Sequence, residues 1–398
     1  MRKGIIWVYD DDRHLGESYI RKLQDSKDVT RAFEPKRLDD ENDFQPQLDV
    51  LMDRRKKLRV RKLSSDFSIY ERHLDLDEAS ILIVDYDLLK SSSTKFSDGE
   101  NVSYLVRCFS RCGLIVGLNH YGHNTFDLTL KGHPESWADL NIGSDQLDNP
   151  GLWGAKTKGF RPWYWPQLPN YLESFHKKVK DVTKHLDDSI WRVLGFPKES
   201  VEIFPRSVSE FMGRKPLETT FREFVGESGN GLREMDKKAT DEMVGIIAAA
   251  RVSKWMERLV LSGQDILVDA PHLAYRFPSL LLGNHSDVNT WNKTANFSSF
   301  KNLGLNHKKI ENFRFKKEHW LSRPAWFWGE ISKCQDIREI TEPWTKEKVN
   351  YVFCEDSSSF HKRENCKEFV ADLDSPYVRR FIRGFKNVEY RPKVRLSI

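Results

Sequence analysis

The stretch IIWVYDDD, residues 5–12, ends an apolar, strand-like run in three consecutive carboxylates. A second run of the same kind, ILIVDYDLL at residues 81–89, delivers Asp85 and Asp87 from its end, and a third, LIVGL, occupies residues 114–118. Short runs so rich in Ile, Val and Leu read as strands buried on both faces. Leu15, Tyr19, Ile20 and Leu23 follow the first run at helical spacing, and a helix is expected over residues 102–112, before the third. Strands alternating with helices predict a doubly wound parallel α/β sheet. Carboxylates gathered at the C-terminal ends of such strands make a hard-cation site, with Mg²⁺ the usual occupant.

The chain has 398 residues, room for two or three domains at roughly 150 residues each. Its 64 basic and 59 acidic residues leave a net charge of +5, which permits nucleic-acid contact without arguing for it. No apolar run approaches the roughly 18 residues that signal a membrane span. Met1-Arg2-Lys3 leads into six uncharged residues before Asp10, so no secretory leader is expected. Five cysteines form no even disulfide framework, and a reducing cytoplasmic setting is the natural reading.

Residues 25–77 are highly charged. Leu48, Leu51, Met52 and Leu58 within them suggest a helix. The basic run Arg54-Arg55-Lys56-Lys57, extended by Arg59, Arg61 and Lys62, is read as its solvated face ahead of a nucleic-acid or acidic-partner contact. Residues 121–158 are polar and rich in Gly, Asp and Asn, and read as an insertion or long loop. Then comes Gly159-Phe160-Arg161-Pro162-Trp163-Tyr164-Trp165-Pro166. Three large aromatics in a row cannot all point inward from one strand, so this segment is expected to dock onto the C-terminal half. A long helix is expected over residues 168–186, where the character changes. The division is therefore a first domain of residues 1–185 and an α+β domain of residues 186–398. In the second, helices are expected at 219–225 and 241–261, and strand-like pieces at 324–328, 351–354 and 394–398. No internal repeat is present.

The pattern WVY-DDDRHL, ILIVDYDLL and LIVGLNHYG resembles the receiver domain of bacterial response regulators, a flavodoxin-like α/β fold, over roughly residues 1–185. The resemblance implies that Asp10 and Asp11 help hold Mg²⁺ and that Asp85, also a metal ligand, accepts the phosphoryl group. It further implies a histidine kinase or related ATPase as phosphodonor. Phosphoryl transfer to a carboxylate piles negative charge onto a crowded site, which a divalent cation must neutralise. Two positions depart from the family. Where a Thr or Ser usually closes the fourth strand, Asn119 stands. Where a Lys precedes Pro at the end of the fifth, the best match is Arg161-Pro162, which keeps the charge but grips phosphate differently.

Other acids and polar clusters have plainer readings. Asp12 reads as a helix cap and Asp87 as a turn or cap residue. Cys354, His361 and Cys366 lack the tight spacing that specifies zinc. Cys108 and Cys112, one helical turn apart, read as core. His272 beside Asp269 reads as part of a turn ahead of a catalytic pair, and Glu355-Asp356-Ser357-Ser358-Ser359 as a helix N-terminus.

The favoured expectation is an atypical receiver protein of a bacterial signalling or defence system, binding Mg²⁺, with phosphorylation of Asp85 controlling a protein partner of the C-terminal domain. Two alternatives stay open. ILIVDYDLL also resembles the first motif of haloacid-dehalogenase-like phosphatases, which implies Mg²⁺-dependent phosphate-ester hydrolysis. A Toprim-like reading fits less well, since it needs an earlier strand-end Glu. The third class is a scaffold that is never phosphorylated.

Overall fold

The computed structural model describes residues 3–391 apart from 40–42, 60–71, 89–97, 120–123, 129–135, 155–157, 214, 227–238, 297–301, 335–336, 338–349, 374 and 376. The strand expected at 394–398, together with Arg61, Lys62 and residues 120–122 of LNHYG, lies outside these residues.

The first part of the chain supplies β1 (Gly4–Tyr9), β2 (Phe33–Arg37), β3 (Ala79–Asp85), β4 (Leu114–Asn119), β5 (Asn124–Asp127) and β6 (Leu140–Gly143). All but β5 join one sheet in the order β2-β1-β3-β4-β6, and every pairing in it is parallel. The three central strands are the three apolar runs. Ile6, Val8, Ile81, Leu82, Ile83, Val84, Leu114 and Ile115 are fully buried. Helices Arg13–Asp25, Gln45–Arg59 and Gly99–Phe109 make the crossovers. Parallel crossovers are right-handed as a rule, so connections that run outward in opposite directions from β1 and β3 put helices on both faces, consistent with a doubly wound arrangement.

Two expectations change here. Residues 121–158 are not an insertion, because the fifth strand of the sheet, β6, lies within them. The basic run is not wholly solvated. Arg54 is buried and pairs with Asp77 at 2.8 Å, and it donates to the Phe109 carbonyl at 2.7 Å, fastening its helix to the next.

The second half holds an antiparallel pair, β7 (Leu267–Asp269) with β8 (Ala325–Phe327), and a four-stranded sheet. The latter comprises β9 (Tyr351–Cys354), β10 (Ser359–Lys362), β11 (Lys367–Val370) and β12 (Arg379–Ile382) in the order β10-β9-β12-β11. Its hairpins are antiparallel, and strands appear where residues 324–328 and 351–354 were expected to form them. Helix Asp241–Trp255 is capped by Thr240 and continues through a π-helical turn at Met256–Val260. The acidic, hydroxyl-rich segment at 355–359 is no helix start. It is the turn of the β9–β10 hairpin, with Ser358 at φ +47°.

The halves interlock. β13 (Val388–Arg391) pairs in parallel with β5. Trp163, Tyr164 and Trp165 are all buried, and the backbone N–H of Trp163 donates to the Glu355 carbonyl at 2.6 Å. The Trp163 indole donates to Asp269 Oδ2 at 2.6 Å. The aromatic segment thus docks against the second half as its side-chain count required. It does so as an irregular loop, which frees each ring to take its own direction. No helix among the described residues is long and apolar enough to cross a membrane.

Candidate functional site

The strand order reverses between β1 and β3. One connection leaves toward β2 and the other toward β4, which opens a crevice beyond the carboxyl ends where ligands bind in open α/β sheets. Tyr9 is in register with Val84, so Asp10 emerges from β1 level with Asp85 at the end of β3. Carboxylate oxygens of Asp10, Asp11 and Asp85 lie within 4.8 Å of one another. Asp10 and Asp85 are buried and Asp11 is half-buried.

Local geometry fixes this cluster. Asp12 caps helix Arg13–Asp25, accepting from the backbone N–H groups of His14 at 2.9 Å and Leu15 at 3.3 Å, the role its sequence position indicated. The Asp12 N–H in turn donates to Asp10 Oδ1 at 2.7 Å, which ties the helix start to the acid pair. Asp87, outside the cluster, pairs its backbone with Asp98, the residue that caps helix Gly99–Phe109.

The electrostatics are those of an uncompensated acid. Burial pushes the Asp85 carboxyl up to about 7, the Asp10 and Asp11 charges push the same way, and the Tyr86 and Asp87 N–H groups act against them. Asp85 Oδ1 is buried and has no hydrogen-bond partner among the described residues. A buried carboxylate oxygen in that state is costly unless a proton or a cation arrives. Three carboxylates offering hard oxygen donors suit Mg²⁺ or a comparable divalent ion.

Helix Gly99–Phe109 starts directly against the cluster. The Gly99 N–H donates to the Tyr86 carbonyl at 2.8 Å, and a Cβ added at Gly99 would lie 2.3 Å from the Asp85 carbonyl oxygen. Gly99→Ala therefore forces the end of β3 away from β1. The expected loss is roughly 1–3 kcal/mol of stability together with a weakened response to Mg²⁺. Urea unfolding with and without the ion reads both, and an unaltered Mg²⁺ response overturns the assignment of the β3 end as part of the cation site.

Asn119 closes β4 one register step past Asp85 and is exposed. With Tyr86, Glu100, Gly117, Leu118 and Asn141 it lines a cleft of about 180 Å³ beside the carboxylates. Arg161 is elsewhere. The fifth strand ends at Gly143, followed by Ser144, so Arg161-Pro162 does not close it. Arg161 lies instead in the loop before helix Leu168–Lys184, its backbone N–H donating to the Asp356 carbonyl at 2.9 Å. The true end of the fifth strand touches Tyr19, whose phenol meets Ser144 and is pushed to about 12 by burial, with the Asp10 and Asp85 charges adding to it. Tyr19 thus links the acids to β6. In the sequence it was indistinguishable from the apolar stripe that carries it.

The other candidates are structural. His272 is buried between Asp269 Oδ1 at 2.6 Å and Glu355 Oε1 at 2.7 Å, and Asp269 caps helix Ala270–Arg276. Cys354 and Cys366 are free thiols with sulfurs 3.3 Å apart, while His361 turns its Nε2 to Ser359 Oγ at 2.8 Å. Cys108 and Cys112 are buried.

Comparison with protein-family models, with curated proteins and with solved structures finds no match for the chain. The functional reading rests on the site.

Proposed function

We propose that this chain is an atypical receiver-type regulator, in which Asp10, Asp11 and Asp85 hold Mg²⁺ and Asp85 accepts a phosphoryl group that alters how the C-terminal half meets its partner. The observation that carries this reading is the convergence of three carboxylates, from two strand ends, at the reversal point of a parallel sheet ordered β2-β1-β3-β4-β6. That order, with the fifth strand supplied by β6, is the one receivers share. When bound, the cation neutralises the charge that builds up on the acceptor side. The chain's own residues do the rest. Asp12 fixes Asp10, the Tyr86 and Asp87 N–H groups orient Asp85, and Asn119 stands one step away as a hydrogen-bond donor in place of a hydroxyl. In the transfer an Asp85 oxygen attacks phosphorus, the bond from phosphorus to the donor's leaving atom breaks (the imidazole nitrogen of a phosphohistidine, or the acyl oxygen of acetyl phosphate), and the leaving group departs with the electron pair, the imidazole taking up a proton. A histidine kinase or related ATPase is the donor class we propose.

The phosphohydrolase alternative has less support, since it requires Asp87 as a general acid beside Asp85 and Asp87 falls outside the carboxylate group. Incubation of the intact protein with acetyl phosphate and Mg²⁺ tests the proposal. One added phosphoryl group by intact mass, absent in Asp85→Ala, is the expected result. Multiple turnover of phosphate esters would favour the hydrolase, and no adduct at all the scaffold; either overturns the receiver reading.

A further inference from the structure

The residue that the sequence offered as a phosphate grip has a different setting. Arg161 lines a cleft of about 490 Å³ between the start of helix Leu168–Lys184 and the segment that carries His319 and Arg323. Its side chain is 8% exposed. The only hydrogen bonds of its guanidinium among the described residues are long ones, Nε to the Gly151 carbonyl and Nη2 to the Trp165 carbonyl, both at 3.4 Å. No carboxylate pairs with it among those residues. Burial and the neighbouring Arg323 guanidinium lower its affinity for the proton, to about 10. A Cβ at Gly151 would fall 2.6 Å from Arg161 Cδ, so the loop holds the side chain tightly.

A buried guanidinium without a counter-ion is expensive. What surrounds it does not compensate. Arg323, fully buried, offers it no acceptor: its guanidinium donates to the Trp163 carbonyl at 2.6 Å and to Ser322 Oγ, and its charge is met by Glu257 at 3.5 Å and Asp269 at 3.9 Å. The acids of the lining are engaged elsewhere. Glu173 pairs with Lys177 at 2.8 Å and Glu318 with Arg314 at 2.6 Å. Helix Leu168–Lys184, 17 residues long, presents its N-terminus to the same cleft through Gln167 and Asn170, and Gln167 makes no side-chain cap. The partial positive charge of that helix end adds to the Arg161 guanidinium.

We infer that this cleft binds a small organic oxyanion, a phosphate- or carboxylate-bearing molecule whose charged group seats on Arg161. The volume suits a ligand of metabolite size rather than a bare ion, and Trp165, Tyr171 and Leu321 provide apolar wall for its body. This site is distinct from the carboxylate cluster, which attracts the opposite charge.

Calorimetric titration of the whole protein with pyrophosphate and separately with citrate, after divalent ions are stripped on a chelating resin and at fixed ionic strength, tests the inference. Stripping keeps any divalent ion off Asp85 without adding a competing carboxylate. Saturable binding of one of the two, beyond that of chloride, is expected, and which one binds distinguishes phosphate from carboxylate recognition. Arg161→Gln should weaken it roughly tenfold or more, as loss of a charge-assisted pair does. Ser174 lies at the half-buried mouth, so Ser174→Asp adds a repelling charge there without disturbing the loop and should weaken binding likewise. Asp85→Asn should leave it unchanged. Binding of neither anion above the chloride level, or binding indifferent to both Arg161→Gln and Ser174→Asp, overturns the inference.

Discussion

Asp85→Asn is expected to make the cation-free protein more stable than wild type at about pH 8 and to abolish the stabilisation that the proposed Mg²⁺ site predicts. The Asp85 carboxyl titrates near 7 in the folded chain, against 3.8 as its ordinary value. Between these values the folded state holds a proton that the unfolded state has released, so stability falls as pH rises through that window. Above about pH 7 the folded protein carries the full cost of an ionised, crowded carboxylate. The shift corresponds to about 4 kcal/mol, which solvent at the half-open cluster reduces to roughly 2. Asparagine keeps the shape and never ionises. On the proposed site Mg²⁺ takes the ionised form, so the stabilisation expected of it in wild type is small at about pH 5.5 and grows steadily toward pH 8. Thermal melts across that range, with EDTA or excess Mg²⁺, measure both effects. A wild-type melting point indifferent to the ion at every pH would remove the cation site from the protein.

Glu355→Ala should be strongly destabilising. Glu355 is buried, accepts from His272 Nε2 at 2.7 Å, lies 3.4 Å from Arg380 Nη1, and gives its backbone carbonyl to the Trp163 N–H. Its removal leaves two cationic groups in a dry interior, at a cost of about 3–5 kcal/mol. Urea unfolding reads that loss. Glu355→Gln keeps a hydrogen-bond acceptor and should cost less. The pH dependence separates charge from shape. Burial works against the His272 proton, but Asp269 and Glu355 outweigh it and raise its pKa above 6.5. The stability this adds is complete below about pH 6.5 and is lost as pH rises through the raised value. In Glu355→Gln that slope should flatten. An unchanged slope would mean that His272 is neutral in its pocket.

What could be read from the sequence followed burial. β1, β3 and β4 are covered on both faces, so their residues are Ile, Val and Leu in unbroken runs, and the acids that end them stand out. Within the five-stranded sheet, the two strands that escaped notice are the two edges. β2 reads FEPKR, because an edge tolerates Pro35, whose missing N–H has no ladder to break, and the solvated Glu34–Lys36 pair. β6 reads LNIG, four residues with one Asn and one Gly, hidden in a polar stretch. Missing that edge displaced the assignment of Arg161, since the nearest basic residue before a proline was taken for the end of a strand that had already finished. The Asp269–His272–Glu355 triad was illegible for another reason. His272 and Glu355 are 83 residues apart, and only tertiary contact joins them.

The pairing of β5 with β13 has a bearing on how the molecule is made. A ribosome delivers Asn124–Asp127 long before Val388–Arg391, so the earlier segment must wait, unmatched, through the synthesis of everything between. Chains released short of residue 388 keep that segment without its strand neighbour, a solitary template for pairing with other chains.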